Sequence, residues 1–385
     1  MTARDPGPAA GVTVGVEEEF LFVDVGSRRP VPRAGAVLAR LGADAGIKPE
    51  LYESQVEAVT PVLTSLAGVA RELVTNRASL ARAAAAEGVA AVGVGTPVLA
   101  GPRPELSGGD RYRLVARTYQ GSFADYEACG CHVHVGVPGD DLAVAVVDHL
   151  RPWLPTLLAL SANSPFHHGR DTGYASWRTI DQARFPGGGI PPRFGDFAGY
   201  RRCLDRLVDC GVLIDERMTF WAARPSPRYP TVEVRVADVA ASPDGALLQA
   251  ALVRGLVRAA LDDLGRGREA PDVDGQLAAG ALWSAARYGI HGHGIELTGG
   301  RRVPARALLA ALVRRVRPAL EDTGDAPLVD ALLPPVLAGG AARQRATAAT
   351  GGLTAVVDEL AGLLTEPMAG ERSAEHVPVP CDRMS

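Results

Sequence analysis

The chain of 385 residues is 47% apolar and 22% charged, with a formal net charge of −4. It can bury a sizeable core, and its mild acidity argues against non-specific nucleic-acid binding, which needs a basic surface. Of its 40 basic residues only Lys48 is a lysine, which excludes a Gly-Lys-Ser/Thr phosphate loop and leaves Lys48 alone for lysine chemistry.

In chain order, residues 1–11 read as a disordered N-terminus and 12–24 as a strand. A second β-like stretch covers 50–60, and a helix runs from about Ser65 to Glu87, closed by Gly88. Strands at 89–94 and 131–137 follow, then a helix from Asp140 to Leu150 that breaks before Pro152. A helix from Asp196 to Gly211 and a strand over 231–237 lead to a long helix. That helix opens at Ser242-Pro243-Asp244 and ends at Gly265. Segments 274–288, 304–316 and 341–364 also read as helices, and the tail over 366–385 as loose. Strands mixed irregularly with helices predict an α+β fold, one catalytic domain over 12–365.

The five cysteines are sparse and odd in number, unlike a disulfide framework. Met1–Ala10 has no apolar stretch of signal-peptide length, and no long uninterrupted apolar run appears. A soluble cytoplasmic protein is expected.

Chemistry concentrates in the strands, where residues two apart share a face. Glu17 and Glu19 oppose Val16 and Phe20; Glu53, Gln55 and Glu57 share a face; His132 and His134 oppose Val133 and Val135; Glu233 and Arg235 oppose three valines. Any one such face is ordinary on a solvated antiparallel sheet. Together they gather five carboxylates and two histidines, which would raise one another's pKa values unless cations lay between them. Oxygen ligands with a histidine at the edge suit Mg²⁺ or Mn²⁺, and Mg²⁺ shares its coordination with substrate phosphates. A carboxylate-lined sheet therefore implies a nucleotide. One rival is structural zinc at Cys129-Gly130-Cys131-His132-Val133-His134, with both cysteines and both histidines taken on one face. Another is a metal-dependent amide hydrolase using His132 and His134, which leaves the recurring glutamates unexplained.

Several segments resemble the carboxylate–amine ligases also called glutamate–cysteine ligase type 2. They are GVEEEF (15–20), YESQVEAVTP (52–61), CHVHVG (131–136), ALSANSPFHHGRDTGYASWR (159–178), FPGGGIPPRF (185–194), RPSPRYPTVEVRV (224–236) and ARYGIHG (286–292). The resemblance implies a curved, mainly antiparallel six-stranded sheet forming a polar cup, with helices on its outer face, as in glutamine synthetase. It also implies ATP, two or three Mg²⁺ ions (Mn²⁺ as substitute) and small amino-acid substrates. It calls for no nucleic acid or membrane and leaves a homodimer open. Carried over, Glu17, Glu19, Glu53, Glu57, His132 and Glu233 are the implied metal ligands. Arg235, Arg224 and Arg178 are implied to meet phosphate or carboxylate, with Lys48 as a further phosphate contact. ATP would activate a carboxylate, plausibly the glutamate side chain, for attack by an amine, plausibly that of cysteine.

Smaller features carry weaker expectations. Gly187-Gly188-Gly189, between prolines, reads as a mobile cover or a plain loop. Gly93-Val94-Gly95-Thr96 reads as a strand-end turn, His167-His168 as a surface pair, Trp177 as packing or an adenine neighbour, and Cys203 with Cys210 as buried on one helix face.

Overall fold

The computed structural model describes residues 11–42 and 46–369, so most of the expected N-terminal and C-terminal extensions lie outside the described residues. The main sheet contains β1 (Val14–Asp24), β2 (Ile47–Pro49), β3 (Gln55–Val59), β4 (Val89–Val92), β5 (Gly130–Gly136), β6 (Ala223–Pro225) and β7 (Thr231–Asp238). Its order is β6-β7-β5-β1-β3-β2, every pair antiparallel. The expected six strands lie along this path. A seventh, β4, joins because β1 is 11 residues long and changes partner along one edge. Glu17–Leu21 pair with β3, and Leu21–Asp24 with β4.

Among the described residues twelve α-helices surround the sheet: α1 (Ala34–Leu41), α2 (Leu66–Ala86), α3 (Asp110–Tyr119), α4 (Asp140–Leu150), α5 (Leu154–Ser161), α6 (Trp177–Gln182), α7 (Phe197–Asp209), α8 (Pro243–Gly265), α9 (Gly275–Tyr288), α10 (Ala305–Asp322), α11 (Ala326–Val336) and α12 (Gly340–Leu363). Val14, Val16, Cys131, Val133, Val135, Val232 and Val234 form the greasy face of the sheet and pack in one core with α4, α5 and α8. Small residues let α8 come close to its neighbours. A Cβ added at Gly255 would lie 2.9 Å from the Val316 side chain of α10. Helix α10 continues past the expected stop near Val316 despite Pro318, because Ala319 and Leu320 are buried beyond it. Tertiary burial outweighs the one lost hydrogen bond. Beyond α12, Met368 is also buried in the main core. Among the described residues no helix is long and apolar enough to cross a membrane.

Gly93 and Gly95 allow close backbone packing; a Cβ at Gly93 would sit 2.4 Å from the Ala240 carbonyl oxygen. Cys131 lies in the core, while the histidines on either side of Val133 point to the opposite face. The four-ligand zinc arrangement therefore fails on strand parity. Cys203 is only partly buried and Cys210 is exposed, since α7 ends at Asp209 and its last turn leaves the core.

Glu18, the middle carboxylate of the first strand, faces the helices and is almost fully buried. Arg77 of α2, equally buried, donates to it from Nε at 3.0 Å and to the Ala241 and Ala240 carbonyls at 3.0 and 2.8 Å. Removing one member of such a pair strands the other charge in the core. Arg77→Met is expected to lower unfolding free energy by ~3–5 kcal/mol, measured by urea denaturation. Adding Glu18→Leu should recover part of that loss.

Candidate active site

Register lines the polar residues up across the sheet. Lys48 of β2 is opposite Glu57 of β3, and Glu57 is opposite Glu19 of β1. Glu17 of β1 is opposite His132 of β5, His134 of β5 is opposite Glu233 of β7, and Glu233 is opposite Arg224 of β6. One face thus carries a row that begins with Lys48 and ends with Arg224. A small aromatic core containing Tyr52, Phe123, Tyr126, Phe185, Tyr200 and Trp221 stands over it. Together with α3 it roofs a cavity of about 250 Å³, lined by Glu19, Glu57, His132, Arg178 and Arg235 among others. This face is a partly covered cleft and not a fully solvated outer surface.

At the β2 edge Lys48 Nζ lies 2.6 Å from Glu57 Oε2. At the opposite side Arg224 Nε donates to Glu233 Oε2 at 2.9 Å, and Arg235 donates to the other oxygen of the same carboxylate. Burial alone would raise the Glu233 pKa, but Arg235 and Arg224 hold it well below the usual carboxylate range. At the centre burial would raise the Glu17 pKa, but His132 and His134 hold it well below the usual carboxylate range. His132 Nδ1 is 3.4 Å and His134 Nε2 3.6 Å from Glu17, and His132 Nε2 is 3.8 Å from Glu19. Burial pushes the Glu57 carboxyl well up, reinforced by the charges of Glu17 and Glu50. Burial also pushes Glu50 up to about 7, with Glu19 adding to the effect.

Two triads have ligand atoms mutually within 4.8 Å: Glu17–His132–Glu233 and Glu19–Glu57–His132. The Nε2 atoms of His132 and His134 are buried without a hydrogen-bond partner. Crowded carboxylates, oxygen-rich donor sets and unsatisfied imidazole nitrogens fit divalent cations. His134 is oriented by Thr231, whose Oγ1 is 2.9 Å from Nδ1.

Glu53 is a correction to the expected ligand set. Residues 53 and 54 form a turn before β3, so alternation does not extend back from Gln55. Glu53 instead accepts the Gly35 N–H at 3.0 Å and, through its carbonyl, the Ala34 N–H at 2.8 Å, capping α1. Glu50 lines the cavity in its stead, a position the sequence reading missed although it lies two residues past Lys48. Arg111, Tyr112, Tyr126, Gln182 and Arg217 also line the cavity and were missed. Arg111 is held by Asp215 at 2.9 Å, a pairing across 104 residues that no local pattern announces.

The three expected arginines divide by role. Arg224 is spent on Glu233 and on Thr219, whose carbonyl and hydroxyl accept its Nη1 at 3.1 and 2.8 Å, so it positions the carboxylate. Arg178 and Arg235 both line the cavity and both keep Nε without a partner. Arg178 also supports β7 where its register shifts between Val234 and Ala237. Its guanidinium reaches the Arg235 and Val236 carbonyls at 3.3 and 3.5 Å. These sit in the bulge, where ladder bonding is disrupted. Space for this comes from Gly130, where an added Cβ would lie 2.3 Å from Arg178 Nη2.

The triple-glycine segment is bonded and not a free cover. Gly188 and Gly189 pair in parallel with Phe220 and Trp221, and Gly187 and Gly189 carbonyls accept the Phe220 and Ala222 N–H groups at 2.8 Å. Trp177 packs against Tyr174, with ring centres 5.5 Å apart, and does not line the cavity.

An antiparallel sheet with a roofed carboxylate row and helices behind it defines a ligase of the glutamine synthetase-like class. The family model for glutamate–cysteine ligase family 2 matches residues 13–359. A Saccharopolyspora erythraea protein with the provisional name glutamate–cysteine ligase 2-2 is 52% identical over 377 residues, covering 96% of each chain. A Nocardia farcinica protein provisionally named glutamate–cysteine ligase 2-1 is 42% identical, covering 95% of this chain and 98% of its own. The crystal structure of a glutamate–cysteine ligase from Francisella tularensis in complex with AMP shares the fold. It aligns at a TM-score of 0.70 and 15% identity over 97% of this chain and 95% of that one. The chain belongs to glutamate–cysteine ligase family 2, a family of ATP-dependent carboxylate–amine ligases.

The raised carboxyls give a sign to the pH dependence. A group whose pKa is higher folded than unfolded stabilises the fold below its unfolded value and loses that contribution as pH rises through the folded one. For Glu50 the window runs from 4.5 to about 7. Stability of the metal-free chain, followed by chemical denaturation, is expected to fall across that window. Saturating Mg²⁺ should restore it, by about 2.7 kcal/mol at a hundredfold excess over the dissociation constant. Glu19→Gln should shrink that response.

Proposed function

We propose that this chain uses ATP to activate a carboxylate as an acyl phosphate and then joins it to an amine, with the glutamate side chain and cysteine as the pair the relatives' names suggest. The observation that carries this reading is the row of carboxylates and histidines in which two overlapping triads each place their ligand atoms within 4.8 Å of one another. Such a row suits divalent cations and phosphate together better than either alone.

Glu17 with Glu233 would hold one ion and Glu19 with Glu57 a second, the neutral His132 ring serving one of the two with its single lone pair; the family resemblance allows a third. Mg²⁺ or Mn²⁺ there supplies electrostatic stabilisation of the transferring phosphoryl group. The chain's own part is positioning. Arg224 fixes Glu233 in one orientation. Arg178 and Arg235, which both line the cavity, suit a phosphate or carboxylate through planar, bidentate contact. In the reaction the substrate carboxylate oxygen bonds to the γ-phosphorus as the bond to ADP breaks. The amine nitrogen then bonds to the acyl carbon, phosphate departs, and the amine loses a proton. The aromatic roof keeps water from the acyl phosphate, which it would hydrolyse.

An amide hydrolase built on His132 and His134 is not favoured, because both rings lean on Glu17 inside the carboxylate row and form no separate centre.

The deciding measurement is ADP release across a panel of carboxylates and amines. Release is expected to need one of each and to match amide product mole for mole; amide hydrolysis without ATP would overturn the proposal. Glu233→Gln is expected to lower turnover by about two to three orders of magnitude, with the far-ultraviolet circular dichroism spectrum retained. Full activity in that variant would remove Glu233 from the site.

A further inference from the structure

Outside the cup, one further set of metal-ligating side chains comes together among the described residues. Asp125, His167 and His168 place ligand atoms mutually within 4.8 Å, and the set shares no residue with either triad of the cup. We propose that Asp125, His167 and His168 form a second metal site, selective for a first-row transition ion such as Zn²⁺ or Co²⁺.

The donor set points to that class of ion. Two imidazoles and one carboxylate suit Zn²⁺, Co²⁺ or Ni²⁺, whereas Mg²⁺ is held by oxygen ligands. His167 is 5% exposed, and its Nδ1 is buried with no hydrogen-bond partner. A buried ring nitrogen in that state calls for a ligand or a proton donor. His168 follows in the left-handed region, at φ 49°, and its ring stacks on that of His167 with centres 3.9 Å apart, so one ring must rotate about its side-chain torsions for both in-plane lone pairs to meet one ion. The pair is also pinned from below. The His168 and Gly169 N–H groups donate to the Pro97 and Val98 carbonyls at 3.0 and 2.8 Å, and His167 pairs with Arg170 across a short hairpin. Two imidazoles are thereby presented together on a fixed backbone.

Asp125 supplies the third ligand from the neighbouring segment. Arg184 engages its Oδ1 at 2.9 Å and reaches Asp181 at 2.7 Å, and a carboxylate with one such contact keeps lone pairs for an ion. The Asp125 side chain is about half exposed, which leaves a fourth coordination position to water. The same Arg184 bridge ties the site to α6, the helix that carries Arg178 and Gln182 to the cavity.

The test is equilibrium dialysis of the full chain against Co²⁺, with Mg²⁺ in excess, alongside the visible absorption of the bound ion. The wild-type chain is expected to hold one equivalent more than His167→Gln. It should show the intense visible bands of a four- or five-coordinate ion, and Zn²⁺ should displace that equivalent. Asp125→Asn changes a half-exposed side chain and leaves the packing in place; it should weaken the extra equivalent at least tenfold. Glu17→Gln, in the cup, should leave it untouched. The proposal is overturned if Asp125→Asn and His167→Gln bind as the wild type does. Disappearance of the equivalent in Glu17→Gln but not in Asp125→Asn would equally overturn it, by assigning the cobalt to the cup. Circular dichroism of each variant separates lost ligands from lost fold.

Discussion

The structure turns on one electrostatic constraint: several carboxylates must share one partly covered sheet face. Fixed cations relieve the flanks, with Lys48 beside Glu57 at one edge and Arg224 and Arg235 around Glu233 toward the other. In the middle, His132 and His134 lean on Glu17, His132 also reaches toward Glu19, and the charge of Arg235 acts on both carboxylates. Burial and the charge of Arg235 lower the His132 pKa against the pull of Glu19 and Glu17. Relief is therefore uneven: against burial, the histidines hold Glu17 low, while burial and neighbouring carboxylates push Glu57 and Glu50 up. Mobile cations fit the centre, and phosphate oxygens fit the cations. The side pairs keep the row from flying apart without filling the place those ions need.

Holding that row requires support behind it. The extra residue in β7 lets Arg235 leave the ladder register, and the carbonyls it frees are met by Arg178. Arg178 lies 3.9 Å from Asp238, whose carboxylate accepts from Asn163, Ser164 and Ser176. Asp238 thus joins the strand end to the segment before α6. Gly130 has no side chain because the Arg178 guanidinium occupies that space. The aim of Arg235 is set by a network several residues removed from it, as expected for a site on rigid elements.

Much of this was legible in sequence wherever strands run without interruption. In β1, β5 and β7 alternation assigns the greasy and polar sides, and the family resemblance places the same residues in the cup. Alternation failed just before β3, where a turn at residues 53 and 54 rotates Glu53 toward α1 and Glu50 takes the cavity side. The sequence reading of the Cys-x-Cys-His-x-His segment overlooked parity, which separates Cys131 from the histidines beside it. A roof residue such as Arg111 could not be found by pattern, because Asp215 holds it through a pairing across 104 residues. Helices α1, α5 and α6 were missed because each has eight residues or fewer, too short for a periodic stripe to stand out; α3 was missed because it buries only Val115, and α11 because Pro334 and Pro335 interrupt its pattern.

The near-absence of lysine acquires a structural reading at the same place. Arg77, Arg178 and Arg224 are all almost fully buried, and each meets carboxylate and backbone carbonyl groups at once. A planar guanidinium with five donors can satisfy two or three acceptors in fixed directions; an ammonium on a flexible stem has three donors and no such fork. Arg77 ties β1 to α2 through Glu18, Arg224 ties β6 to Glu233, and Arg178 ties α6 to β7. Replacing any of them with lysine would keep the charge while leaving buried carbonyls unmet. Lys48, by contrast, sits half-exposed at the sheet edge with one carboxylate partner, a task for which a point charge suffices. Where the fold must join an ion pair to a backbone, it uses arginine, and the one lysine occupies the position where that geometry is not required.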